Sequence, residues 1–207
     1  VHTPLPIDAY AVASNDGLSL KEQLGRMLRF SNNYVADMLT LNLAAAQRGQ
    51  APGQLSDAAR VLSDYVQRVK ADSRGIKQPS APPLFSGSGL TPENLLSAED
   101  LTSVLAAEYR NTRMFPAYYG GLVVPRQAPF GFLRVGSADW LDRVALKTGT
   151  MDDPHSVCGI AGYLRKKDGG WMAFAAIVNG GPRMKHVPLW KAMEAARADV
   201  DSLLARY

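Results

Sequence analysis

Apolar positions follow a three- and four-residue rhythm through most of the chain, switch to strand patterning from Arg143 and return to helical spacing after about Val187. Ser19-Leu-Lys-Glu22 has the form of a capping box, and Leu20, Leu24, Met27 and Leu28 follow at helical spacing. Ser31-Asn32-Asn33 interrupts the pattern with three residues that compete for backbone hydrogen bonds, which predicts caps and a turn. A second helix begins at about Tyr34 with Val35, Met38, Leu39 and Leu43 inward, and Gly49 is its expected stop. Ala51-Pro-Gly breaks the chain before a helix over 56–70 that buries Val61, Leu62, Tyr65, Val66 and Val69. A Pro-rich connector over 77–84 leads to Phe85-Ser-Gly-Ser-Gly-Leu90. Its glycines leave backbone N–H groups free to face an anion, yet the phosphate-loop and dinucleotide patterns are missing, so a tight turn is expected. Ser97-Ala-Glu-Asp100 opens a further helix with Leu101, Val104, Leu105 and Tyr109 inward. Residues 114–139, punctuated by Pro and Gly, are expected to form short helices around Phe115, Tyr118, Phe130 and Phe132.

Three strands and a closing helix complete the pattern. Val144 and Leu146 alternate with Ala145 and Lys147 in the first strand. The second covers 156–164, Lys167-Asp-Gly-Gly170 marks a hairpin turn, and the third covers 171–178. The run Ala173-Phe-Ala-Ala-Ile-Val178 is apolar almost throughout, which predicts a strand buried on both faces and paired on both edges. As the last of three meander strands it has one partner here, so the sheet is expected to continue with strands outside this chain. The helix over 187–207 is expected to bury Trp190, Met193, Ala196, Val200, Leu204 and Tyr207. The order is α+β: helices packed on an antiparallel sheet, closed by a C-terminal helix.

Composition changes this picture little. The chain has 207 residues, 46% hydrophobic and 20% charged, which suits one folded domain with a substantial core, or two small ones. A net charge of +4, with dispersed basic residues, gives no nucleic-acid footprint. No apolar run approaches the ~20 residues that span a bilayer, so at most peripheral membrane association is expected. The chain opens at Val1 rather than Met and is read as a processed form or an excised fragment. The one cysteine, Cys158, is read as a buried strand residue, and the three scattered histidines give no metal-ligand spacing. His155 is read as a loop residue, with the edge of a substrate groove as the alternative, and Trp140, Trp171 and Trp190 are read as packing.

The candidate chemistry sits at the end of the first strand. Lys147, Thr148, Gly149 and Thr150 set a cation, two hydroxyls and a glycine in consecutive positions, which suits an oxyanion or carboxylate. Gly149 removes a side chain where a backbone or a ligand could approach. A solvated strand end running into a turn accounts equally well for these four residues alone.

Three signals stand in order: Ser31-Asn32-Asn33, Ser86-Gly-Ser-Gly-Leu-Thr91 and Lys147-Thr148-Gly149-Thr150. Together they resemble the penicillin-recognising serine enzymes, with their S-x-x-K, S-x-N and K-T-G motifs. The likeness is closest to the class C low-molecular-mass penicillin-binding proteins, the D-alanyl-D-alanine carboxypeptidase/endopeptidase family. Met27-Leu-Arg-Phe-Ser-Asn-Asn-Tyr-Val-Ala-Asp37 looks like that family's S-x-N helix, Gly87-Ser-Gly-Leu90 like its G-S-G-L loop, and Ile160-Ala-Gly-Tyr-Leu164 like the strand after K-T-G. The resemblance runs from about Ser14 to the C-terminus. It departs at two points. Serine followed three residues later by lysine occurs nowhere in the sequence, and Ser86 stands where many members have Asp.

The resemblance implies the C-terminal half of a transpeptidase-like fold. Residues 1–13 would be the lead-in from an upstream insertion, 14–140 the helical region with S-x-N, and 141–207 the K-T-G strand, two further strands and the last helix. It implies acyl transfer on peptidoglycan stem peptides, and acylation by β-lactams, outside the cytoplasm (periplasmic or otherwise extracytoplasmic), with no cofactor. The nucleophile would come from the missing N-terminal segment, so this chain alone is expected to be inactive. By resemblance, Ser31 relays a proton to the leaving amine, and Asn33 hydrogen-bonds the absent lysine and the substrate amide. Lys147 adds field, Thr148 and Thr150 hold the carboxylate, and the Thr150 N–H beyond Gly149 is half of an oxyanion hole. A non-catalytic peptidoglycan-binding module and a β-lactamase are the alternatives.

Overall fold

The computed structural model describes residues 8–10, 12–75 and 79–207. Most of the expected lead-in over 1–13, and the start of the connector over 77–84, lie outside the described residues. Helix α1 spans Leu20–Phe30 and starts on a complete Ser19–Glu22 capping box. Helix α2 spans Asn33–Arg48 and stops at a left-handed Gly49, while α3 spans Leu55–Arg74. Helix α4, Ala98–Arg110, has its own capping box between Ser97 and Asp100. The Pro/Gly-punctuated region folds into α5 (Phe115–Gly121), two 3-10 turns at Pro125–Gln127 and Gly131–Leu133, and α6 (Ala138–Arg143), capped by Ser137.

Strands β1 (Val144–Met151), β2 (Val157–Arg165) and β3 (Trp171–Asn179) form an antiparallel meander in the order β1-β2-β3, and α7 spans Leu189–Arg206. Successive strand residues point to opposite faces, and the core divides accordingly. Val144, Leu146, Cys158, Ile160, Leu164 and Phe174 meet Met193, Ala196, Val200 and Leu204 of α7 on one face. Ala145 and Tyr163 meet Leu105 of α4 and Leu122 on the other, where Tyr163 also donates to the Leu105 carbonyl at 2.7 Å. Gly162 is required by the β1–β2 pairing: a Cβ there would lie 2.1 Å from the Ala145 carbonyl oxygen and 2.7 Å from Leu146 Cα.

Several packing expectations need correction. Trp190 is 67% exposed and Tyr207, Leu20, Leu43 and Tyr109 are also exposed; Leu20 and Trp190 stand in the first turns of α1 and α7, Tyr109 in the last turn of α4, and Tyr207 just past the end of α7. The expectation that β3 is buried on both faces fails as well. Phe174 alone on that strand is fully buried, since β3 ends the sheet and its neighbours cover it only in part. Trp140 is buried as expected, with its indole N–H donating to the Leu133 carbonyl at 2.9 Å. Cys158 is buried too, and burial pushes its thiol pKa up.

Candidate active site

The corner between α1 and α2 divides its work among three residues. Asn32 is the cap: its side-chain oxygen accepts the Val35 N–H at 3.0 Å. Ser31 is thereby left free to project its hydroxyl, and Asn33 opens α2 with its side chain toward the same side. Ser31 adopts a left-handed backbone with φ 54° and ψ 51°, the one non-glycine with positive φ among the described residues. Such a conformation costs a non-glycine residue about 1–2 kcal/mol.

Lys147 comes to this corner from β1. Its ammonium donates to the Ser31 hydroxyl at 2.8 Å, across 116 residues of sequence, and also to the Thr148 carbonyl. Lys147 is half-buried, and burial lowers its pKa below the usual lysine value. Leu146 exchanges both backbone hydrogen bonds with Val123, at 2.8 and 2.9 Å. The two-residue repeat therefore turns the N–H and C=O of Thr148 and Thr150 toward the same outer edge of β1. Their side chains share the α7 face of the sheet, opposite to Lys147.

The third wall is the loop after Phe85. One carboxylate oxygen of Asp37 accepts the Gly87 N–H at 3.0 Å and the Ser88 N–H at 2.8 Å. The loop does face an anion, and that anion is the protein's own. A Cβ on Gly87 would lie 1.9 Å from Thr40 Oγ1, so the glycine lets the loop settle against α2. Ser86 is buried, accepting Thr91 Oγ1–H at 2.7 Å and the Asn94 amide at 3.2 Å.

Ser31, Asn33, Thr148 and Thr150 line one cleft of about 290 Å³, closed by Ser88, Gly89 and Leu90 and by Phe130, Phe132 and Leu189. Gly149 does not face it. Pointing from the opposite side of the strand, Gly149 lies instead in a neighbouring cleft of about 530 Å³ with His155, and among the described residues no atom beyond its two chain neighbours lies within 4 Å of where its Cβ would stand. A buried ion pair, Lys70 to Asp100 at 2.5 Å, borders that second cleft. Among the described residues no cluster of three or more His, Cys, Asp or Glu could hold a metal ion. None of their helices is long and apolar enough to cross a membrane.

The cleft recruits residues that the sequence reading passed over. Asp37 lies four residues after Asn33, hence on the same face of α2, and that spacing was the available signal. Phe130 and Phe132 were expected to be packing and do pack on the core, but they also line the cleft. Leu189 carried no signal, because nothing local marks the first turn of α7 as reaching β1.

The description of the D-Ala-D-Ala carboxypeptidase 3 (S13) family matches residues 2–205. No curated protein matches the chain. Penicillin binding protein 4 (dacB) from Haemophilus influenzae, complexed with a novel β-lactam, is similar with a TM-score of 0.69 and 20% identity, over 88% of this chain and 41% of that one. A second structure of the same protein gives 0.64 at 20% identity, over 86% and 39%. A class A β-lactamase from Bacteroides cellulosilyticus gives 0.52 at 19% identity, over 91% and 65%. The fold is thus of the penicillin-binding-protein and β-lactamase type, and the chain spans about two fifths of the length of the penicillin-binding protein it matches.

Proposed function

As the chain belongs to the D-Ala-D-Ala carboxypeptidase 3 (S13) family, we propose that it forms one side of a serine D-alanyl-D-alanine carboxypeptidase/endopeptidase site acting on peptidoglycan stem peptides outside the cytoplasm. The observation that carries this reading is the 2.8 Å hydrogen bond from Lys147 to Ser31, which joins the S-x-N corner to the K-T-G strand in one cleft. No Ser-x-x-Lys occurs in these 207 residues, so the acylated serine and its lysine base are assigned to a segment outside them. The same segment is assigned the strand that pairs with the free edge of β3.

In the proposed reaction the serine oxygen attacks the carbonyl between two D-alanines, and its proton passes to the lysine base. As the C–N bond breaks, Ser31 relays that proton from the lysine to the departing amine, giving up its own hydroxyl proton and taking the lysine's in its place. Water then cleaves the ester, releasing the shortened peptide and restoring the serine hydroxyl. Asn33 orients the substrate amide, and the Thr150 N–H, facing the open edge of β1, serves the developing oxyanion. Such a donor is typically worth ~3 kcal/mol in the transition state. Thr148 and Thr150 hold the terminal carboxylate in the field of Lys147, whose charge also disfavours protonation of the base.

The test uses the full-length protein and a labelled penicillin, with the adduct located by peptide mass spectrometry. One stoichiometric, slowly hydrolysed adduct is expected, on a serine outside residues 1–207. Lys147→Ala should slow acylation by penicillins much more than by analogues lacking the carboxylate. An adduct inside these residues, or equal losses on both ligand types, would sink the assignment. Rapid turnover of the adduct would make the protein a β-lactamase instead.

A further inference from the structure

The cleft has two chemically different walls. Ser31, Asn33, Thr148 and Thr150 are its polar lining, whereas Phe130, Phe132 and Leu189 form an apolar wall, to which the Ser88–Leu90 loop adds Leu90. The Phe130 and Phe132 rings lie nearly parallel, 17° apart with centroids 5.8 Å from each other. Both are half-buried against the core cluster that β1 shares with α7, so packing fixes their positions while part of their surface faces the cleft. Leu189, at the start of α7, remains 42% exposed beside them.

The position of this wall matters because of strand geometry. Thr148 and Thr150 point to the α7 side of the sheet, which is also the side that carries Phe130, Phe132 and Leu189. A carboxylate held by the two threonines brings its own α-carbon substituent against the apolar wall. A charged or strongly hydrated substituent there would lose water without gaining a partner. A cleft of about 290 Å³ leaves room for more than a carboxylate and a methyl group.

We infer that the cleft contains an apolar subsite for the side chain of the carboxylate-bearing residue, and that it accepts terminal D-residues with branched aliphatic or aromatic side chains as well as D-alanine. This inference rests on the carboxypeptidase reading above. A fitted aliphatic group in such a pocket discriminates by about tenfold or more per methylene.

The experiment measures kcat/KM of the full-length protein on acyl-D-Ala-D-Ala, acyl-D-Ala-D-Leu and acyl-D-Ala-D-Glu peptides. The D-Leu peptide should match or exceed the D-Ala peptide, and the D-Glu peptide should be at least about tenfold poorer. Phe132→Ala should cost the D-Leu peptide about tenfold more than the D-Ala peptide, mostly as a rise in KM. Leu189→Ala, at an exposed position, carries the same test should Phe132→Ala fail to fold. A preference for D-Ala over D-Leu beyond tenfold, or equal losses on the two substrates in both variants, overturns the subsite and leaves the carboxypeptidase reading standing. Hydrolysis of none of the three peptides overturns that reading, and the subsite with it.

Discussion

Replacing Asp37 by alanine should release the Ser86–Leu90 loop from α2 without unfolding the protein. One oxygen of Asp37 accepts two successive backbone N–H groups, at 3.0 and 2.8 Å, and the residue is half-buried. Hydrogen bonds to a charged acceptor contribute about 1.5–3 kcal/mol each. Partial exposure favours the low end, so the pair stabilises the docked loop by about 3 kcal/mol. At ~1.4 kcal/mol per factor of ten, the loop's opening equilibrium should shift about 100-fold toward open. Asp37→Asn keeps an acceptor oxygen and loses only the charge, so its shift should be nearer tenfold. Amide hydrogen exchange at Gly87 and Ser88 reads this directly, and exchange in the β2 core serves as the control. Unchanged protection at those two amides in Asp37→Ala would refute the reasoning. So would a uniform loss of protection across β2, which would mean that Asp37 holds the fold and not the loop.

Two further outcomes follow from the geometry of β1. Burial lowers the pKa of Lys147 from the usual 10.5, so the folded protein binds fewer protons at this site than the unfolded chain does. That penalty is full below the lowered pKa and vanishes as pH rises past 10.5. Lys147→Met should therefore melt higher than the parent near pH 7, with the gap closing toward pH 10.5; a gap that is flat or widens with pH would contradict the burial argument. Gly162→Ala drives a Cβ to 2.1 Å from the Ala145 carbonyl oxygen, a backbone atom fixed by the β1–β2 ladder. It should cost about 3 kcal/mol in urea denaturation, and a loss under about 1 kcal/mol would show that the strands can separate locally.

Features set within a few residues were legible in the sequence. The capping boxes at Ser19 and Ser97, the Gly49 stop and the three strands, the first of them alternating, appear within two residues of where the sequence pattern puts them. Each depends on a side chain meeting backbone three residues away or on a period of two. Long-range choices were not legible. Asp37 reads as an ordinary acidic residue of a helix because its two donors lie 50 and 51 residues away. Spacing on α7 puts Trp190 on the buried stripe, yet at that helix's first turn it is Leu189 that reaches the cleft. Whether a periodic position is covered depends on how far the opposing element extends, and periodicity carries no term for that.

The serine-asparagine corner shows where the two kinds of information meet. Locally, Ser31, Asn32 and Asn33 are three equivalent candidates for a cap. Only one cap is needed, and Asn32 fills it. The other two side chains are therefore free of the role that composition alone assigns them. β1 divides in a parallel way: Lys147 leaves one face while Thr148 and Thr150 leave the other, so a single ligand meets all three only along the strand's outer edge. The left-handed turn at Ser31 sets its hydroxyl at that edge, 2.8 Å from Lys147 Nζ. Relieving the turn with glycine would remove both the strain and the hydroxyl, whereas alanine would keep the strain and lose the hydroxyl. Comparing the two variants thus separates the stability that the fold gives up at this corner from the effect of losing the hydroxyl itself.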